Sequence, residues 1–253
     1  MNIIVCFKQV VEETEIRIDR EGGKLILDDV PTKISDDDRN AIEEATKIKQ
    51  KNGGIITGLT LGSQEAKKQV KEALAMGCDK VYHVIDNEGI QDSFRTAKIL
   101  TDVVKKIGEF DIILCGSAST DRMAGQVGPS LAELLEIPQI TLVSKIEVND
   151  SVIKVEKKLD DVKEVIESSF PVLITVNREI NEPRVPTLMQ IMAAGKKPIS
   201  EVQIQELQGE YVPTIKEIKI EIPKTARKCI MFKDKASKSA QKLFESLKKD
   251  GVI

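Results

Sequence analysis

The sequence predicts an α/β protein with a doubly wound, mostly parallel sheet. Two observations carry this expectation. Short apolar runs at residues 3–7, 55–61, 81–85 and 112–115 are continuous rather than alternating, as strands covered on both faces must be. Amphipathic helical patterns lie between them, and strands alternating with helices of that length imply right-handed crossovers.

The first run, Ile3-Ile4-Val5-Cys6-Phe7, opens the chain. Residues 15–19 and 24–28 flank Gly22-Gly23 and read as a small inserted hairpin. Ser35 caps a helix whose apolar face carries Ala41, Ile42, Ala45 and Ile48, with Asp38 completing an approximate capping box. A second helix starts at Ser63, carries Ala66, Val70, Ala73 and Leu74 on one stripe, and closes at Gly77. Asp92 opens a third, with Ala97, Leu100, Val104 and Ile107. A fourth follows Cys115, sets Val127, Leu131 and Leu134 on one side, and stops at Pro138. Beyond it, residues 152–155, 165–167 and 172–176 are strand-like with no long helix between them. They predict a mixed or antiparallel extension of the sheet. From Lys196 the chain turns irregular and rich in Lys and Glu, up to a last helix at 235–249 bearing Ala236, Ala240, Leu243 and Leu247. That tail has too little apolar surface for its own core. The expected organisation is a domain over 1–197 and a C-terminal arm over 198–253.

Composition narrows the function. Hydrophobic residues are 41% and charged residues 31%, enough for both a core and a soluble surface. Basic and acidic residues nearly balance, 38 against 41, which argues against nucleic acid as the main partner. Aromatics are 3% with no Trp, so a stacking platform for bases is not expected. The 4 cysteines form no C-x-x-C pair, so no metal site is expected. Cys6 and Cys115, inside apolar runs, read as small buried hydrophobes of a reducing compartment. No stretch approaches the roughly 20 apolar residues of a membrane span. A first strand at residue 2 leaves no room for a signal peptide, and the expected location is cytoplasmic. His83, the single histidine, reads as a strand residue, which removes histidine-dependent catalysis. No catalytic residue is expected.

In open α/β sheets ligands bind beyond the carboxyl ends of strands. The loop after the fourth strand runs Gly116-Ser117-Ala118-Ser119-Thr120-Asp121-Arg122-Met123-Ala124-Gly125-Gln126-Val127-Gly128-Pro129. Its small residues allow close backbone approach, and the next helix offers N–H groups and a positive dipole end to a phosphate. An ordinary turn capped by Thr120 or Asp121 reads the same residues equally well. No P-loop, G-x-G-x-x-G or G-x-S-x-G motif is present. The run Asp36-Asp37-Asp38 suits the dipole of a helix's first turn better than a metal. A second stretch, residues 181–198, brackets Leu188, Met189, Ile191 and Met192 with prolines and ends on Lys196 and Lys197. It reads as a protein-docking surface or as a core helix.

Taken together and in this order, these stretches resemble the electron transfer flavoprotein β-subunit family. The resemblance rests on Asn181-Glu182-Pro183-Arg184, with Thr187-Leu188, Ile191-Met192 and the lysines that follow. Also matching are the opening Ile4-Val5-Cys6-Phe7-Lys8-Gln9-Val10, Ala41-Ile42-Glu43-Glu44-Ala45, Ala73-Leu74-Ala75-Met76-Gly77 and Gly125-Gln126-Val127-Gly128-Pro129. Lys157, Asp160 and Pro171 fit a family pattern too.

The resemblance implies an adenine nucleotide-binding, Rossmann-like fold. It implies a larger α subunit carrying most of the FAD contacts. It also implies a second nucleotide in this chain, which is AMP in simple members, or FAD with NAD(H) nearby in electron-bifurcating ones. By position, that nucleotide touches Cys6, Ser35, Asp36, Asp38 and Leu61. In the loop it touches Gly116, Ser117, Ala118, Asp121, Arg122, Met123, Ala124, Gly125, Gln126 and Val127. Leu188 matches the leucine that enters a pocket on a dehydrogenase, with Met189, Ile191, Met192, Lys196 and Lys197 beside it. Quinone-reductase partners are implied as well, and the C-terminal arm is expected to wrap the α subunit. The Gly-Gln-Val-Gly-Pro form of the loop leans towards a second FAD. Arg122, Met123 and Ala124 depart from the usual Gly-Asp-Thr, so AMP stays open. An ATP-using enzyme of related fold is the remote alternative, and Lys8-Gln9-Val10-Val11-Glu12 lacks its S-G-G-x-D-S loop. A nucleotide-sensing module is another.

Overall fold

The computed structural model describes all residues except 20–23, 90–91, 150, 221 and 223–228. Its elements run β1 (Asn2–Cys6), β2 (Gln9–Val11), β3 (Arg17–Asp19), β4 (Lys24–Ile26), β5 (Thr32–Ile34), α1 (Asp36–Asn52), β6 (Ile55–Gly62), α2 (Lys67–Met76), β7 (Lys80–Ile85), α3 (Ser93–Ile107), β8 (Ile112–Gly116) and α4 (Val127–Leu134). There follow β9 (Gln139–Val148), β10 (Val152–Lys158), β11 (Lys163–Ser169), β12 (Val172–Val176), α5 (Leu188–Ala194), β13 (Ile199–Gln203) and α6 (Ala236–Lys249).

One 9-stranded sheet has the order β11-β10-β9-β12-β8-β1-β6-β7-β13. Every neighbouring pair from β9 to β13 in that order is parallel, while β10 and β11 are antiparallel to their neighbours. The doubly wound sheet and its antiparallel edge are as the apolar runs predict. Both faces are covered, so adjacent residues of one strand enter different cores. Ile3 and Val5 pack with Ile42, Ile56 and Ala73 on one side, whereas Ile4 packs with Leu100, Val104 and Leu131 on the other. Continuous apolarity in the central strands has this origin.

Three local expectations change. The box at Ser35 and Asp38 does not form, and Ser35 makes no capping bond to α1. Ser63 does cap, but it caps a short 3-10 turn at Gln64–Ala66, so α2 begins later. Residues 172–176 lie inside the parallel region as β12, between β8 and β9. The inserted hairpin exists as the β3–β4 pair, and its Gly22-Gly23 turn lies outside the described residues.

The chain divides into compact units Met1–Ile220 and Glu221–Ile253. Residues 199–203 extend the sheet as β13 beside β7 and lie in the first unit. In the second unit no residue of α6 is buried, as its sparse apolar content requires.

Candidate functional site

The topology has a switch point. From central β1 the chain winds to β6 and β7 on one side, then returns to β8 on the other. The crevice beyond the carboxyl ends of β1 and β8 is therefore where an open sheet can take a ligand. One carboxylate spans it. Asp38 accepts 2.8 Å from the Lys8 N–H through Oδ2 and 3.0 Å from the Gly116 N–H through Oδ1. The fit leaves no room at residue 116: a Cβ there would lie 2.5 Å from Asp38 Oδ1. Burial pushes the Asp38 carboxyl up to about 7, against the pull of its two N–H donors. The first turn of α1 serves both loops. Ser35 accepts from the Thr120 N–H at 3.2 Å, and the Ser117 hydroxyl donates to Asp37. Ser35 and Asp38 are thus spent on neighbouring strands and loops, which is why no capping box closes.

Over this floor lies a cavity of about 320 Å³. Among the expected ligand residues it is lined by Cys6, Asp38, Leu61, Gly116, Ser117, Ala118, Arg122, Ala124, Gly125, Gln126 and Val127. Ser35, Asp36, Asp121 and Met123 are not on its wall. Ser35 is buried beneath the loop, and Asp36 pairs with Arg178 at 2.8 Å and Lys33 at 3.3 Å. Asp121 takes Lys8 Nζ at 2.6 Å, and although burial opposes it, that ammonium holds Asp121 below its ordinary carboxylate value. Met123 turns outward at 72% exposure with φ 51°.

The wall also includes residues that the sequence reading does not single out. They follow β1 (Phe7, Lys8, Gln9), β6 (Gly62, Ser63) and β7 (Asp86, Asn87, Gly89), or open α3 (Asp92, Ser93, Thr96). Each follows a parallel strand's carboxyl end or begins the next helix, so the rule that marks the fourth loop marks these too.

Gly125 sits at φ 63°, a left-handed conformation that favours glycine. Gly128 brings α4 against the sheet, where a Cβ would lie 2.7 Å from Thr175 Cγ2. α4 begins without a side-chain cap, so the N–H groups of its first turn meet the wall where Gln126, Val127 and Gly128 lie. Thr120 Oγ1 is buried with no hydrogen-bond partner. Thr120 is not on the cavity wall, and a phosphate-sized anion fits the N–H groups of the first turn of α4.

The cysteines on the wall are free thiols. A hydrogen bond to Cys6 and burial push the Cys115 thiol well up, which suits packing rather than nucleophilic attack. His83 is fully buried on β7, and burial pushes its pKa down. Among the described residues no His, Cys, Asp or Glu cluster is placed to hold a metal, and no helix is long and apolar enough to cross a membrane.

The segment before α5 is clamped to the middle of α1. Asn181 and Asn40 exchange bonds at 2.7 and 3.1 Å, and Asn181 also donates to Glu44 at 3.0 Å. Arg184 meets Glu43 through Nε at 2.6 Å and Nη2 at 2.9 Å. Burial works against the Glu43 charge, but the Arg184 fork holds its pKa below the ordinary value. Thr187 and Gln190 then form a capping box for α5. Held this way, α5 shows solvent Leu188 (74%), Met189 (81%), Ile191 (55%) and Met192 (70%). The core-helix reading of this stretch is excluded. Lys196 is exposed beside them, whereas Lys197 is not free for docking: its Nζ donates to the Leu74 and Cys78 carbonyls at 2.8 and 2.7 Å.

The family model described as "Electron transfer flavoprotein domain" matches residues 23–207. The electron transfer flavoprotein subunit beta of Thermoanaerobacterium thermosaccharolyticum is 38% identical over the whole of both chains, and that of Bacillus subtilis 35%. The chain belongs to the electron transfer flavoprotein β-subunit family. Its role is accordingly in electron transfer. A third relative, 36% identical over 79% of this chain and 77% of its own, is named the caffeyl-CoA reductase-Etf complex subunit CarD of Acetobacterium woodii. Residues 41–45 and 181–184, two of the stretches that carry the resemblance, are here the two sides of one clamp.

Arg184→Ala strands the Glu43 charge at 5% exposure. Because Arg184 itself is 28% exposed, the expected loss is about 2–4 kcal/mol, just below that for a fully buried pair. Urea unfolding checks it, and Glu43→Gln combined with Arg184→Ala is expected to recover part of the loss. Asp38→Asn turns an N–H donor towards one of the two backbone donors, at a cost of about 1–3 kcal/mol. In the native chain, Asp38 keeps its proton up to about 7 when folded and near 3.8 when unfolded. Its contribution to stability is full below the unfolded value and lost as pH rises towards the folded one. Unfolding midpoints measured between those values are expected to fall with pH in the native chain and to flatten in Asp38→Asn.

Proposed function

We propose that this chain is the β subunit of a heterodimeric electron transfer flavoprotein that holds an adenine nucleotide in the cavity at the switch point. A larger α subunit carries most of the FAD contacts. The observation that carries this reading is the uncapped start of α4 on the wall of that cavity, beside Gly125 and Arg122. The N–H groups of 124–127 would hold a phosphate, and Arg122 would add charge. Flavin supplies the redox chemistry when bound. The groups of this chain bind and orient it, and none acts as an acid or base. Electrons pass between dehydrogenases, or quinone-reductase partners, and an acceptor. The site of action is the cytoplasm, without membrane insertion or nucleic acid.

Between a second FAD and AMP, two observations favour FAD. The cavity extends past the phosphate loop to the loops after β6 and β7, and it carries a cation besides the α4 amides. With a second FAD, NAD(H) would bind nearby and the complex would bifurcate electrons, with NADH-dependent flavin oxidoreductase activity. Counting flavins and adenosine compounds per purified complex decides this. A colourless complex with no adenosine compound would overturn the whole reading.

Gly125→Glu is expected to expel the nucleotide of this subunit, because its carboxylate crowds a phosphate. Gly125→Asn, which tolerates the same backbone, is expected to retain it; mass spectrometry of the released ligand compares the two. Leu188→Ala is expected to slow electron transfer to the partner dehydrogenase by about tenfold or more with flavin content unchanged, as loss of an interface anchor does. Stopped-flow reduction measures the rate, and an unaltered rate removes Leu188 from the docking surface.

A further inference from the structure

The chain after β13 returns to the cavity. Leu207 and Tyr211 pack against the core on the α3 side. The next residues are tied to two points of the cavity wall, Asp92 and Arg122. At the first tie Asp92 does two jobs. Its Oδ1 caps α3 through the N–H groups of Phe94 and Arg95, and its Oδ2 accepts from the Thr214 N–H (2.5 Å), the Thr214 hydroxyl (2.8 Å) and the Ile215 N–H (3.2 Å). Arg95, itself paired with Asp86 at 2.5 Å, adds a bond to the Tyr211 carbonyl at 2.9 Å. At the second tie Glu217 pairs with Arg122 at 2.5 Å.

The two ties differ in strength. The first is a buried network with several donors per acceptor. The second is one ion pair whose partners are 40% and 47% exposed. Apolar packing does not reinforce it, since Ile215, Ile218 and Ile220 all face solvent. Such a pair is weak, and a phosphate, with more charge and a matching fork, is the better partner for a guanidinium.

We propose that Glu217 is an intramolecular stand-in for a ligand phosphate on Arg122, and that a bound nucleotide takes Arg122 and releases Glu217 while Asp92 keeps 214–215 in place. The proposal rests on the nucleotide reading of the cavity. The two charges are already paired, and the competitor need only displace an exposed carboxylate into water.

The test uses AMP as the probe and the full chain purified with its larger subunit. Glu217→Ala is expected to tighten AMP binding about two- to fivefold, the worth of an exposed ion pair. Arg122→Ala is expected to weaken binding, and adding Glu217→Ala to it is expected to bring no gain. Lys216 adjoins Glu217, so trypsin cleavage after Lys216 reports the release directly. Cleavage there is expected to speed up on adding AMP to the native chain, to be fast without AMP in Glu217→Ala, and to ignore AMP in Arg122→Ala. Equal AMP affinity in the native chain and Glu217→Ala, or cleavage indifferent to AMP in the native chain, overturns the latch while leaving the nucleotide site standing. Failure of the native complex to bind AMP, ADP or FAD through this chain overturns the nucleotide reading and the latch together.

Discussion

The carboxylate of Asp38 is the constraint on which the site depends. β1 and β8 are neighbours in the sheet, yet the loops that follow them must part company at the switch point. Where they diverge, the Lys8 and Gly116 N–H groups lose the partners that a longer ladder would give. A buried N–H left unpaired costs about 1–3 kcal/mol. Asp38 answers both at once, from the first turn of a helix that arrives between the strands. Its closeness then dictates Gly116, since any side chain there would meet the carboxylate. The loop starts flush against α1, and the floor of the cavity is set before any ligand is considered.

The same helix sets the second functional surface. The first turn of α1 supports the cavity through Ser35, Asp37 and Asp38, and its middle receives Asn181 and Arg184 on Asn40, Glu43 and Glu44. From Asp38 to Glu43 the helix rises about 7.5 Å. Cavity floor and docking-segment anchor are thereby set at a constant spacing by one rigid strut. On the proposed reading, with a nucleotide in the cavity and a partner on α5, this strut would hold the two at a defined separation. The energetic terms are polar on both counts, and both depend on buried polar groups keeping all their partners.

The sheet was legible because its strands are continuous apolar runs, and a strand buried on both faces admits little else. The loop after β8 was legible for the same reason: it follows such a run and is built from small residues. Other parts were hidden by competition for side chains. Ser35 and Asp38 have the spacing of a capping box, but local spacing says nothing of Thr120, Lys8 and Gly116, which arrive from elsewhere in the chain and claim those oxygens. Lys197 looked like a docking cation by its place beside Lys196, and only tertiary structure brings the Leu74 and Cys78 carbonyls to it. β13 was missed because Ile199-Ser200-Glu201-Val202-Gln203 is an edge strand with mixed polarity, lying in a stretch that reads as irregular.

The clamp on α1 also explains how an apolar helix can stay in water. α5 has 7 residues, far below the ~12–15 at which a helix becomes even marginal alone. An ordinary solution would bury its large side chains against the core. Here the capping box of Thr187 and Gln190, the Arg184–Glu43 fork and the Asn181–Asn40 exchange do the holding, and Ala194 is the residue that goes inside. Leu188, Met189 and Met192 are left with no part in keeping this chain folded. Such a cluster of exposed apolar residues carries an aggregation hazard that none of the described residues covers. On the proposed reading those side chains would answer to a partner's surface outside the chain. The polar clamp separates the two demands: the fold can be stable without the helix's apolar face, which would leave that face free to be shaped by the proposed partner.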